Sequence, residues 1–129
     1  MEPTMVNQNR PKYLDLFRIR LPLPGIVSFL HRISGFGLFL FLPFLLWLFQ
    51  SSLAAPDTYV RYRAAFANPL VKLILIGLLW AFLHHLFAGL RFLALDVHIG
   101  TDLAPARKTS WAVLAVSIVL TVILGVWLW

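Results

Sequence analysis

Residues 111–129 read WAVLAVSIVLTVILGVWLW, a run from Trp111 to Trp129 with no charged side chain. A helix needs ~20 apolar residues to cross a hydrocarbon core, so this run predicts a membrane span. Thr109 and Ser110 stand before it as caps. Two further stretches satisfy the same criterion. Asn68-Pro69 pairs a capping side chain with proline at the first helical position and opens a stretch that continues to about Asp96, interrupted by His84, His85 and Arg91. Ile33 to Phe49 is again free of charge, and the helix containing it is predicted to begin near Gly25, behind Pro22 and Pro24. Pro43 falls inside that helix, which lipid-embedded helices tolerate. The reading is an all-α integral membrane protein with spans at about 25–49, 69–96 and 109–129, a cytoplasmic N-terminal segment 1–24, and a single membrane domain over 1–129.

Composition agrees. Of 129 residues, 60% are hydrophobic and 12% charged, with a mean hydropathy of +0.84. A water-soluble chain of this size has too little interior to hide such a sequence. The formal charge of +6 would favour nucleic acid in a soluble protein. Here no basic face with interleaved aromatics remains in water, and nucleic-acid binding is excluded. The absence of cysteine rules out disulfides, iron–sulfur ligation and thiol chemistry within the chain. A cleavable signal peptide does not fit the long basic lead and the lack of a small-residue cleavage site.

Lys and Arg set the orientation. Arg10, Lys12, Arg18 and Arg20 precede the first span, and Arg107 and Lys108 follow the second, with Arg91 just inside its end. The first connection, Gln50 to Ala67, carries Arg61 and Arg63, with Lys72 nearby. This bias predicts a cytoplasmic N-terminus and, with three spans, an outside C-terminus. Trp47, Trp127 and Trp129 then mark the outer interface and Trp111 the inner one.

Ionisable side chains inside a span are costly and therefore functional candidates. Ser28, His31, Arg32 and Gly35 recur at i, i+3, i+4 and i+7 and share one helix face. On the second span, Leu78, Ala81, His85, Gly89, Phe92 and Asp96 fall on one side, while His84 projects about a quarter turn away, nearer Ala88 and Arg91. At 1.5 Å per residue Ser28 lies ~5 Å, Arg32 ~10 Å and His85 ~16 Å from the inner surface. A histidine one turn deeper than a second histidine and an arginine suits a haem held by His85, with propionates toward His31 and Arg32. His84 and His85 diverge by ~100° and cannot face each other across one iron. Either His31 pairs with His85, or the second axial ligand comes from another chain.

The segments IRLPLPGIVSFLHRISG and HHLFAGLRFLALD resemble the signature regions of the cytochrome b anchor subunit of bacterial succinate dehydrogenase. Ser28, His31, Arg32, Ser34 and Gly35 match its S-x-x-H-R-x-[ST]-G pattern, and His85, Gly89, Leu90 and Arg91 match H-x-x-x-G-[IL]-R. The lead RPKYLDLFRIRLP and the three-span layout extend the likeness over the whole chain.

The resemblance implies that His85 is an axial ligand of haem b, that His31 and Arg32 lie at its propionates, and that Ser28 and Arg32 line a ubiquinone pocket. It implies a heteromeric helix bundle in the bacterial inner membrane. Its partners would be a second small anchor subunit, which shares the haem, and the iron–sulfur and flavoprotein subunits that oxidise succinate. The chain would not be an enzyme on its own, since it has no residues for flavin or iron–sulfur binding. Phe92 stands where some relatives carry histidine, so any role of that side chain is absent. Arg91 is read as a headgroup or propionate partner; His84, His98 and Asp102 are read as structural or solvated. Two other classes use intramembrane His and Arg: a small transporter or proton-channel subunit, and a scaffold without cofactor. Related halves, expected of many transporters, are missing.

Overall fold

A computed structural model describes residues 19–129; Arg10, Lys12, Arg18 and most of the expected cytoplasmic segment lie outside the described residues. Four helices follow one another, α1 (Leu23–Ala54), α2 (Pro56–Phe66), α3 (Pro69–Asp96) and α4 (Leu103–Leu128). No strand occurs among the described residues. α1, α3 and α4 are each long and apolar enough to cross a membrane, and the protein is a multi-pass helical membrane protein. α1 packs on α3, α3 on α4, and α4 on α1, closing a three-helix bundle.

The helix ends follow from proline and capping chemistry. The Asn68 side chain accepts a hydrogen bond from the Leu70 amide at 2.9 Å, and Pro69 occupies the first turn. α1 runs past Phe49 to Ala54 because polarity does not end a helix. What ends it is Pro56, which forces Ala55 into an extended conformation. The same proline then starts α2, an unexpected helix in the first connection. Asp57 in its first turn and Arg63 in its last complement its dipole. α2 was hidden because it is too polar for a search for spans.

α4 begins at Leu103, not at 109. Pro105 is tolerated in its first turn, so Thr109 and Ser110 lie inside the helix and are not its caps; Asp102 is the N-cap residue. At the end of α3 the chain turns through a Schellman motif. The His98 amide bonds to Leu95 O at 2.9 Å and the Ile99 amide to Ala94 O at 2.9 Å. His98 takes the left-handed position with φ 63°, where glycine is usual, and Gly100 follows at φ 76°.

The interior is largely polar and the exterior apolar, as lipid solvation requires. Val27, Ala88 and Val113 form the apolar centre, joined by buried Ser34, His84, Arg91, Ser110, Ser117 and Thr121. On α4, Ser110, Val113, Ser117 and Thr121 make the inward stripe. Their small size lets backbones approach. Their hydroxyls donate to carbonyls of their own helix: Ser110 to Ala106, Ser117 to Leu114 and Thr121 to Ser117, at 2.7, 3.0 and 2.6 Å. Outward positions such as Phe36, Phe39, Ile123 and Val126 are exposed. At the far end Trp129 and α2 line one cavity, and Lys72 Nζ lies 6.0 Å from the Trp129 ring. The C-terminus and α2 therefore share one end of the bundle, opposite the α3–α4 turn.

Candidate haem and quinone site

The two faces picked out on α1 and α3 meet. The His31 and His85 rings stack with centroids 4.1 Å apart and planes 8° from parallel. The register explains the contact. Gly35 follows Leu23 by twelve residues and His85 precedes Asp96 by eleven, placing both about 16–18 Å along their helices from the same end. The missing side chain at Gly35 makes room: a Cβ there would sit 2.6 Å from His85 Cε1 and 3.1 Å from its Nδ1. His31 then reaches toward the α3 C-terminus, over Gly89 and against Phe92, whose ring centroid is 5.1 Å away.

Hydrogen bonding defines the His85 tautomer. Its Nδ1 lies 3.0 Å from the His31 carbonyl oxygen. A carbonyl only accepts, so Nδ1 carries the proton and Nε2 presents a lone pair. Ser34 Oγ donates to the same carbonyl at 2.9 Å and lies 3.3 Å from His85 Nδ1. Ser34 belongs to the signature pattern but had no role assigned from sequence. Its position one turn after His31 and next to Gly35 was the available signal.

His84 is fully buried, stacked on Trp80 at 5.3 Å, with neither ring nitrogen bonded among the described residues. Of the two sequence readings, structural or solvated, burial selects the structural one. The cause is helix geometry: His84, Ala88 and Arg91, at i, i+4 and i+7, form the inward stripe of α3, and His85 sits at its edge. Arg91 also turns inward. Its Nε donates to Thr109 Oγ1 at 3.0 Å and its Nη2 to Ala106 O at 3.4 Å, which ties α3 to α4. It lies about 120° around α3 from His85, away from the His31–His85 pair.

Ser28 is half-buried and Arg32 exposed. One turn apart on α1, they flank His31, and neither side chain is hydrogen-bonded among the described residues. Among the described residues the donors of this face are thus unpartnered. None of the four predicted residues lines the α3–α4 cavity or the cavity beside α2 and Trp129; they lie along the α1–α3 seam.

This paired-histidine seam lies within a chain whose residues 6–124 match the succinate dehydrogenase/fumarate reductase transmembrane subunit. The chain belongs to that family. Among its relatives, the succinate dehydrogenase cytochrome b556 subunit of Coxiella burnetii is 36% identical over 125 residues, covering 96% of this chain and 100% of the relative. The subunit of the same name from Paracoccus denitrificans is 35% identical over 115 residues, covering 89% and 88%. That of Rickettsia felis is 30% identical over 122 residues, covering 94% of each. Membership in this transmembrane-subunit family accords with the three apolar helices and makes the chain a membrane subunit of an oxidoreductase complex.

Gly35 offers a direct test of the seam. Gly35→Ala is expected to displace the His85 imidazole and lower the thermal midpoint of the assembled protein, at a cost of about 1–3 kcal/mol for overpacking. Gly37→Ala, on the same helix with no atom within 4 Å of its added Cβ, is expected to keep or raise the midpoint, by the ~0.5–1 kcal/mol that alanine gains over glycine in a helix. Equal midpoints for the two variants would show that His85 does not occupy the space above Gly35.

Proposed function

We propose that this chain, as a single membrane-anchor unit, binds haem b and ubiquinone for a succinate dehydrogenase in the bacterial inner membrane. The observation carrying the proposal is the tautomer of His85. Iron-ligating imidazoles donate their second N–H to a carbonyl or carboxylate, which fixes the ring and raises its basicity. Nδ1 of His85 has such a partner in His31 O, in a space opened by Gly35. No group of three His, Asp or Glu that could hold a metal ion occurs among the described residues. A haem asks for less, since the porphyrin supplies four of the iron's ligands and one imidazole from this chain is enough. When bound, haem b would supply a one-electron Fe(III)/Fe(II) couple.

His85 Nε2 would hold the iron, and His31 and Arg32, toward the α1 start, would face the propionates. The guanidinium of Arg32 pairs well with carboxylates. Ser28 and Arg32 would hold a ubiquinone carbonyl. Reduction brings two electrons and two protons to the quinone, and hydrogen bonds from these groups stabilise negative charge as it develops on the oxygen. Electrons would arrive from an iron–sulfur subunit that a flavoprotein reduces. The relatives' name, cytochrome b556 subunit of succinate dehydrogenase, supports the haem and the partnership alike. The open seam supports a second small anchor subunit, which would cover the haem and would supply a second histidine to hold it.

Purification through a tag on this chain is expected to bring down a flavoprotein, an iron–sulfur protein and haem absorbance together. Recovery of the chain without any of them would overturn the reading. Orientation has its own test. The positive charge of Arg20, Arg91, Arg107 and Lys108 supports a cytoplasmic location for the end that bears them. A reporter that works only outside the cytoplasm is expected to be active after Trp129 and silent before Met1, and the opposite pattern would invert the placement.

A further inference from the structure

Arg91 is 8% exposed and its described partners are neutral: the Thr109 hydroxyl, the Ala106 carbonyl and the Phe92 ring, 5.5 Å from its Cζ. Those two hydrogen bonds use Nε and Nη2 and leave Nη1 unpartnered among the described residues. A nearly enclosed guanidinium with no counter-charge among the described residues is expensive, and it calls for an anion. The space beside it describes that anion. Arg91 lines a cavity of about 290 Å³ between α3 and α4, walled by Phe87, Ala94, Leu95, Ile99, Ala112 and Val116. Those six wall residues are apolar, and Gly100, Thr109 and Val113 complete the lining.

Arg91 is five residues from the end of α3, ~8 Å along the axis, within reach of the headgroup layer. Arg107 and Lys108 are exposed near the start of α4 at the same end. We propose that this groove seats an anionic phospholipid, its phosphate on Arg91 and one acyl chain along the α3–α4 wall, in the leaflet on the side of the α3–α4 turn. Arg91 and His85 leave α3 about 120° apart, which favours a lipid phosphate over a haem propionate. The site is independent of the haem and quinone reading.

The test uses the complex purified through this chain, stripped of lipid by detergent exchange and titrated with dioleoyl-phosphatidylglycerol, dioleoyl-phosphatidylcholine or inorganic phosphate. Lipid phosphorus retained per chain and the thermal midpoint are the readouts. Phosphatidylglycerol is expected to bind about tenfold more tightly than phosphatidylcholine, and Arg91→Gln to abolish that difference, the scale of one charge-assisted contact. Ala112→Leu, which keeps Arg91 but fills the exposed groove, is expected to lower phosphatidylglycerol retention as well, and it decides the matter if Arg91→Gln does not assemble. Equal binding of the two lipids, a midpoint shift reproduced by phosphate alone, or retention unchanged in Ala112→Leu would each overturn the proposal. So would a partner-subunit carboxylate cross-linked to position 91.

Discussion

Replacing His85 with alanine is expected to abolish the b-type haem absorbance of the assembled complex, while His84→Leu leaves it in place. The two residues are adjacent, yet their surroundings differ in kind. His85 stands at the edge of α3 with its Nδ1 proton given to His31 O and its Nε2 without a hydrogen bond among the described residues. His84 is enclosed, and neither nitrogen has a partner among the described residues. The His84 side chain leaves α3 about 100° from that of His85 and stacks on Trp80, so His84→Leu should keep the haem. His31 separates two models of ligation. If His31 and His85 were both axial ligands, their nitrogens would point at each other across the iron. They instead lie face to face at 4.1 Å, with no room for a metal between them. The chain expressed alone is therefore expected to show no stable low-spin haem, which should form only on co-expression with a second anchor subunit. In the complex, His31→Ala should retain the haem with an altered potential, since it acts near the propionates. A doubly ligated haem in the isolated chain that disappears with His31→Ala would refute the shared-ligand arrangement.

The parts of this fold that sequence made legible are those governed by one local rule. The start of α3 follows from Asn68-Pro69 alone, and the meeting of the His31 and His85 faces follows from helical spacing and 1.5 Å per residue. The parts that escaped are set by competition between rules. Polar Gln50-Ser51-Ser52 resembles a helix end, but helix propensity carries α1 on until Pro56 forbids the next residue. Arg107 and Lys108 resemble a loop, yet they are compatible with the first turns of α4 because their side chains reach outward to water. Whether His84 is solvated or enclosed cannot be read from α3 itself. It depends on how α1 and α4 close over the stripe that includes Ala88 and Arg91, a tertiary fact. Ser34 escaped for a related reason: a serine mid-helix usually bonds back to its own helix, and Ser34 does so. Only the approach of α3 makes the same hydroxyl a neighbour of His85.

Arg32→Leu is expected to lower quinone reduction by about ten- to a hundredfold while succinate oxidation by a soluble artificial acceptor stays within about twofold, the loss of one hydrogen bond from a charged donor. The artificial acceptor takes electrons before the membrane, so it does not need α1. Ser28→Ala should act in the same direction with a smaller loss, about three- to tenfold, because its hydroxyl is a neutral donor. The two residues stand one helical turn apart, half-buried and exposed respectively, without hydrogen bonds among the described residues. They are free to share one carbonyl oxygen. Arg32→Lys separates charge from geometry. Lysine keeps the positive charge but lacks the planar fork that can hold a propionate and a quinone oxygen at once, so it should recover part of the rate and leave the haem spectrum shifted. The quinone KM should rise in each variant if the contact forms in the bound substrate, and kcat should fall if it strengthens as charge develops on the oxygen. A parallel loss of both activities would assign Ser28 and Arg32 to assembly. Normal quinone turnover in Arg32→Leu would remove the seam beside His31 as the quinone site, while leaving the His85 haem ligand to be judged on its own spectrum.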